Sequence, residues 1–269
     1  MNQRQQPNVK TENLITSLQN TQVKRVVLLQ QKSAERRRQG LFVVEGQREL
    51  GRCLAAGYEI EEVYFCPDLC APPAGLPVVP VSREVYAKIA CRDSTEGVVA
   101  VAQARTLTLD DLRLPVNPLI VVLERVEKPG NLGAVLRTAD AAGVDAVVVC
   151  DPLTDLYNPN LIRSSIGAAF TVPCVACSSA QGIDFLKRNG ITILTAQLQD
   201  SHLYYNTDMR GGTAIVMGAE STGLTRQWRQ AADAHIRIPM LGALDSLNVS
   251  ASAAILIFEA VRQRGGGSQ

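Results

Sequence analysis

Residues 119–150 read LIVVLERVEKPGNLGAVLRTADAAGVDAVVVC, and this stretch decides the fold. An apolar run over 119–124 breaks at Pro129-Gly130, a helical period fills 132–142, and a second apolar run follows over 146–149. Short runs that are apolar on every residue suit strands covered on both faces. A strand, a helix and a strand in that order therefore predict one unit of a parallel sheet.

The alternation continues downstream. The spacing predicts a helix over 160–168, a strand over 171–175, a helix over 180–189 and a strand over 192–196. Strands over 213–217 and 234–238 follow, with a short helix over 227–232 between them and a final helix over 248–264. Parallel sheets of this kind place their ligands beyond the carboxyl ends of the strands, so the loops that follow strands are the places to search.

Upstream the pattern differs. Arg36-Arg37-Arg38 is followed by Gly40 and a strand-like Leu41-Phe42-Val43-Val44, then a helix over 48–56, strands over 60–65 and 78–81, a helix over 83–90 and a strand over 97–102. Residues 104–118, with Pro115 and Pro118 and no sustained period, read as a linker between a small α/β domain over 21–103 and a larger one over 119–269. Residues 1–20 read as a polar extension.

Charge is distributed unevenly. Residues 1–40 hold eight basic side chains against two acidic ones, a net of +6 that leaves −5 for the rest of a chain whose formal total is +1. That asymmetry points one end of the chain at a polyanion, and Arg36, Arg37, Arg38 and Arg48 are the expected RNA contacts. Aromatic residues are 4% of the sequence, too few for an array of base-stacking platforms.

Other classes fall away. With 46% hydrophobic and 20% charged residues the composition is that of a globular protein, and the apolar runs fall short of the roughly 20 residues of a membrane span. The expected location is cytoplasmic, with no membrane partner. The seven cysteines form no paired ligand clusters with the two histidines, so no metal site is expected, and the cysteines read as free thiols. No G-x-S-x-G, G-x-G-x-x-G or P-loop pattern is present, which removes hydrolase triads, dinucleotide sites and nucleotide-phosphate loops.

Three loops carry the candidate chemistry. The first is the 127–139 stretch, where Asn131 reads as a helix cap and Gly133 and Ala134 admit a close neighbour. Arg137 lies six residues after Asn131, about 120° round the helix, so the two converge on one ligand only if Asn131 is outside the helix proper. The second runs from Ile215 to Leu224 with Gly218, Glu220 and Gly223. The third runs from Ile238 to Ser252 with Met240, Ser246, Leu247 and Asn248. Small residues, neutral hydrogen-bonders and a carboxylate at strand ends suit a cofactor with an adenine and an amino-acid tail.

In order and spacing, N-x-G-A-x-x-R-T-A at 131–139, V-x-G-x-E-x-x-G at 216–223 and I-P-M…S-L-N-V-S-x-S at 238–252 resemble the three motifs of the SPOUT superfamily. The match is to its TrmH/SpoU group of RNA 2′-O-ribose methyltransferases. Residues 38–102, notably Gly40-Leu41-Phe42-Val43-Val44-Glu45-Gly46, resemble the L30e-like substrate-binding domain that precedes such catalytic domains. The resemblance implies an α/β fold with a C-terminal parallel-sheet SPOUT domain containing a deep trefoil knot. It also implies S-adenosyl-L-methionine as cofactor, a homodimer, and structured RNA as substrate, with 23S ribosomal RNA preferred over transfer RNA. Asn131, Arg137, Glu220, Ser246 and Asn248 match the catalytic set, and Gly218, Ile238, Met240 and Leu247, bordered by Thr195 and Ala196, match the cofactor site. A catalytically silent RNA-binding protein of the same fold is the alternative.

Overall fold

The computed structural model describes residues 13–91 and 96–265. The chain divides into two compact units, residues 1–104 and 105–269. Most of the expected polar extension, residues 1–12, lies outside the described residues. Residues 13–20 are built into the first unit, where Ile15 bridges Val81 and Asn20 caps the first helix.

The first unit comprises α1 (Thr21–Gln31), α2 (Ser33–Gln39), β1 (Leu41–Glu45), α3 (Gln47–Ala55), β2 (Ile60–Phe65), β3 (Val78–Pro80), α4 (Arg83–Ile89) and β4 (Val98–Gln103). Its four strands lie in the order β1-β4-β2-β3, antiparallel except for the β2/β3 pair. Val23, Val26 and Leu29 on α1 recur at helical spacing and join Leu41, Val43, Tyr64, Val99 and Val101 in one core. Gly40 ends α2 with φ of 66°, a left-handed cap that glycine adopts without the penalty a Cβ brings.

Arg36 departs from expectation. It is 4% exposed, and its guanidinium donates to the carbonyl oxygens of Leu29 at 2.6 Å and Gln30 at 3.0 Å, bracing the end of α1. Three adjacent arginines on a helix point about 100° apart, so one of them faces the neighbouring helix whatever the others do. Arg37 and Arg38 are exposed, Arg38 bonded to Glu35 at 2.7 Å, and exposed Arg48 donates to Glu49 at 3.0 Å.

The second unit holds a seven-stranded sheet in the order β7-β6-β5-β10-β8-β11-β9, with every pair parallel. Its elements are β5 (Leu119–Glu124), α5 (Pro129–Ala142), β6 (Ala146–Cys150), α6 (Pro159–Ser164), α7 (Ala168–Thr171), β7 (Cys174–Cys177), α8 (Ser179–Arg188) and β8 (Thr192–Ala196). They continue with β9 (His202–Leu203), β10 (Thr213–Met217), α9 (Arg226–Ala231), β11 (Ala234–Arg237) and α10 (Val249–Gln263). Alternate residues of each strand enter opposite cores. Leu119, Val121 and Leu123 meet α5 and α10, while Ile120 and Val122 meet α8 and Trp228 of α9. The stretch 104–118 is no free linker. Leu109, Leu112 and Leu114 pack on the second of these cores.

Two local features differ from the sequence reading. The helix expected over 160–168 breaks at Ile166 (φ 56°) and Gly167 (φ 83°), which shifts the following strand to Cys174–Cys177. α5 starts at Pro129, with Lys128 as its cap, so Asn131 is inside the helix. The close approach expected at Gly133 is present. A Cβ there would overlap Ser164 Oγ and lie 2.6 Å from Leu161 O and 2.9 Å from Ser165 N, because α6 lies against α5 at this residue. Gly133→Ala is therefore expected to overpack this contact and cost about 1–3 kcal/mol, read by calorimetry as a melting temperature lower by about 3 °C or more. An unchanged melting temperature would contradict the packing described.

Among the described residues no helix is long and apolar enough to cross a membrane, and no group of three or more His, Cys, Asp or Glu side chains is placed to hold a metal. None of the seven cysteines forms a disulfide, and of the seven Cys91 is the exposed one.

Candidate active site

Past the carboxyl ends of β8, β10 and β11 lies a cavity of about 590 Å3, within the range of small-molecule sites. Its walls are the residues after β8, the 218–224 loop after β10, and residues 236–249 leading from β11 into α10. β8 ends in Ala196 and β10 runs into Gly218 and Ala219, so small residues form part of the wall, whereas β11 ends in Arg237. Ala196, Gly218, Ile238, Met240 and Leu247, five of the expected cofactor residues, all line it. Thr195 does not. It is buried one residue short of the cavity, with its Oγ1 2.6 Å from Nδ1 of His235, its register partner on β11.

Glu220 ties the three loops together. Its Oε2 accepts from Lys128 Nζ at 2.7 Å, and its Oε1 accepts from Asn131 Nδ2 at 2.9 Å and Asn248 Nδ2 at 2.7 Å. Asn248 Nδ2 also lies 3.3 Å from Asn131 Oδ1. Asn248 caps α10, its Oδ1 accepting from the backbone N–H of Ser250 at 2.9 Å. The hydrogen bond from Lys128 holds Glu220 below the usual carboxylate range against the opposing effect of desolvation, with the lysine charge, Asn131 and the Val249 N–H adding to it. Glu220 is thus a carboxylate at neutral pH.

The remaining two expected catalytic residues stand apart from this cluster. Ser246 is exposed on the cavity wall, its hydroxyl 3.4 Å from Asp245 Oδ1. Arg137 is exposed two turns along α5 and borders neither this cavity nor the smaller one beside it. With Asn131 at a helical position, the convergence expected between the two is not made within one chain. Glu220 holds the three loops together through Lys128, Asn131 and Asn248.

Several residues at the site escaped the sequence reading. Lys128 was inside the quoted first loop but had no separate signal. Gln197 and Arg229 line the cavity, and the rule that sites follow strand ends already pointed to Gln197, one residue past β8. Glu124, at the end of β5, is buried. It accepts from the N–H of Thr225 at 2.8 Å and its hydroxyl at 2.7 Å, so it fixes the exit of the 218–224 loop and caps α9.

The cavity suits S-adenosylmethionine. Gln197 Oε1 is buried on its wall with no hydrogen-bond partner, an acceptor awaiting a donor such as an amine or ribose hydroxyl. Arg229 supplies a cation for a carboxylate, and the loop is too close-packed at Gly218 to admit even a methyl group.

Residues 118–258 match the SpoU rRNA Methylase family, and residues 20–100 match the MRM3-like substrate binding domain. The chain belongs to the SpoU rRNA methylase family. It is 38% identical over 199 residues to the 23S rRNA (guanosine-2′-O-)-methyltransferase RlmB of Ralstonia nicotianae, an alignment covering 72% of this chain and 80% of that protein. Its fold matches the crystal structure of an RNA 2′-O ribose methyltransferase with a TM-score of 0.83 at 39% identity, covering 93% of this chain and 99% of the other. It also matches an AdoMet-bound rRNA methyltransferase from Sinorhizobium meliloti, with a TM-score of 0.85 at 29% identity over 93% of this chain and 97% of that one. SpoU enzymes use S-adenosylmethionine, in keeping with the cavity described above. The seven-stranded parallel sheet is the fold these neighbours share.

Proposed function

We propose that this SpoU protein methylates the 2′-hydroxyl of a guanosine ribose in 23S ribosomal RNA. The observation that carries the reading is the Glu220 cluster, which joins all three motif loops beside a cavity of cofactor size. The likeness to RlmB supplies the substrate. Bound in the cavity, S-adenosylmethionine supplies a methyl group activated by its sulfonium. Ala196, Gly218, Ile238, Met240 and Leu247 would enclose it, and Gln197 Oε1 would accept from one of its donors.

The chain's own task is positioning and charge stabilisation. Lys128, Asn131, Glu220 and Asn248 fix the three loops in register. Ser246 and Arg137, both facing solvent, meet the RNA. Lys128 and the two amides lower the affinity of the Glu220 carboxylate for a proton, and a guanidinium carries donors and no acceptor, so neither serves as the base. The proton of the hydroxyl leaves to a phosphate oxygen or to water.

The active assembly is a homodimer. α5 and α10 pack together, and α10 carries the half-exposed Phe258, the apolar side chain assigned here to the interface between two copies. Pairing of two such faces carries Arg137 of one subunit toward the site of the other, which accounts for its distance from the cluster in one chain. Phe258→Glu is expected to give monomers in light scattering. A dimer of unchanged stability would remove this face as the interface.

The sheet order supports the deep trefoil knot as well. β10 is inserted between β5 and β8, β11 lies beyond β8, and α10 returns to pack on α5. Arg264 then fastens the end of that helix to the carbonyls of Asn117 and Met209, each at 2.8 Å.

In the first unit, Arg37, Arg38 and Arg48 are the proposed RNA contacts, with Arg36 serving structure. Reversing Arg37 and Arg38 to Glu is expected to weaken binding of a 23S rRNA transcript in filter binding. The log-log salt slope should fall by about one for each phosphate that is no longer held. Affinity for S-adenosylhomocysteine should be unchanged, and equal RNA affinity and slope in the variant would exclude these side chains. The function itself is tested by tritiated methyl transfer from S-adenosylmethionine to an unmodified 23S rRNA transcript. Incorporation is expected, and cofactor binding without incorporation would favour a silent RNA-binding protein.

A further inference from the structure

The cation expected to act in the transfer, Arg137, stands off from the cluster, whereas a second cation stands within it. Lys128 caps α5, and its ammonium, bonded to Glu220 Oε2 at 2.7 Å, has two further N–H donors. Its side chain is 69% exposed, and an ion pair so open to water contributes little to stability. The hydrogen bond it donates to Glu220 also raises its pKa, so it is a fixed positive charge and not a proton acceptor.

Lys128 borders a second, smaller cavity of about 110 Å3, whose walls include Asn131, Glu220 and Ser221. Gly218, Ala219, Glu220 and Ser221 separate it from the cofactor cavity and line both. This space is large enough for a group of phosphate size. It lies at the N-terminus of the 14-residue α5. Pro129 there has no N–H, and the amides of Asn131 and Leu132 both donate to Lys128 O, at 3.1 and 3.3 Å. Glu127 also borders the cavity and opposes an anion, while the charge of Glu220 is already matched by Lys128 and two amides.

We propose that Lys128 is a substrate-positioning residue whose ammonium, held by Glu220, grips the RNA backbone phosphate next to the acceptor ribose. The inference rests on the RNA methyl-transfer reading above and adds a residue and a subsite to it. One ammonium bridges the two anions, Glu220 on the protein side and the phosphate on the RNA side. A grip there anchors the RNA backbone beside the cofactor cavity.

The test uses the full-length protein, an unmodified 23S rRNA transcript and S-adenosylhomocysteine. Lys128→Met is expected to raise the KM for RNA about tenfold and to lower the log-log salt slope of RNA binding by about one, with S-adenosylhomocysteine affinity unchanged. Lys128→Arg, which keeps the charge, is expected to recover most of the loss. If Lys128 served only to balance Glu220, adding Glu220→Gln to Lys128→Met would restore RNA affinity and slope. That restoration, or an unchanged slope in Lys128→Met, overturns the proposal. Wild-type protein that binds the transcript without methylating it would sink the methyltransferase reading, and the salt slope would still decide the role of Lys128.

Discussion

Glu220→Ala is expected to lower the rate of methyl transfer by about two to three orders of magnitude while the protein remains folded. The substitution removes the acceptor for Lys128, Asn131 and Asn248 together, so three loops lose their common fastening. A misplacement of about 1 Å at a reacting centre costs on the order of a hundredfold, and here the misplacement falls on both the acceptor and the cofactor side. Steady-state kinetics with circular dichroism and S-adenosylhomocysteine calorimetry separate this from unfolding. A turnover rate within about threefold of wild type would show that the fastening is dispensable.

The pH dependence follows from the same geometry. The carboxyl of Glu220 is held below its ordinary value, chiefly by Lys128, so its contribution to the assembled site is complete above the ordinary carboxylate range. It is lost only as the pH falls through the lowered value. Any acid limb of the rate profile between about pH 5 and 7 therefore belongs to another group, and Glu220→Gln should leave its midpoint in place.

Gly218→Val is expected to reduce S-adenosylhomocysteine affinity at least about a hundredfold, close to 3 kcal/mol. An added Cβ would overlap the carbonyl carbon and oxygen of Gly223 and lie 2.5 Å from the nitrogen of Leu224. All three atoms are backbone, so no rotamer relieves the overlap and the 218–224 wall of the cavity must rebuild. The RNA contacts proposed on the first unit are untouched, and transcript binding should survive. Near-normal affinity for S-adenosylhomocysteine would mean that this loop does not shape the cofactor site.

Much of this was readable in the residues. The central strands of the second unit, β5, β6 and β10, are apolar along most of their length, and that is what burial on both faces of a parallel sheet demands. The three loops stood out because small and polar residues follow those runs directly. What stayed hidden depended on tertiary packing. Gly167 marks the break in the sequence, but the β-branched Ile166 before it is locally unsuited to φ of 56° and masks it; α6 is set against α5 at Gly133, and the chain turns after it. Arg36, Arg37 and Arg38 are indistinguishable as letters, and only the placement of α1 against α2 buries one of them. The start of α5 was legible in principle, since proline favours the first helical position, and Asn131 drew attention away from Pro129. Thr195 and Ala196 differ by one strand position, which turns one side chain toward His235 and leaves the other at the cavity.

The most direct measurement of the central claim is to incubate the wild-type protein with S-adenosylmethionine and an unmodified 23S rRNA transcript and to map the product by mass spectrometry of its nucleosides and oligonucleotides. A single 2′-O-methylguanosine at one position is expected, absent when the cofactor is withheld. A methyl group found on a base, or no methylated nucleoside at all from protein that binds both S-adenosylhomocysteine and the transcript, would contradict ribose methylation as the activity of this chain.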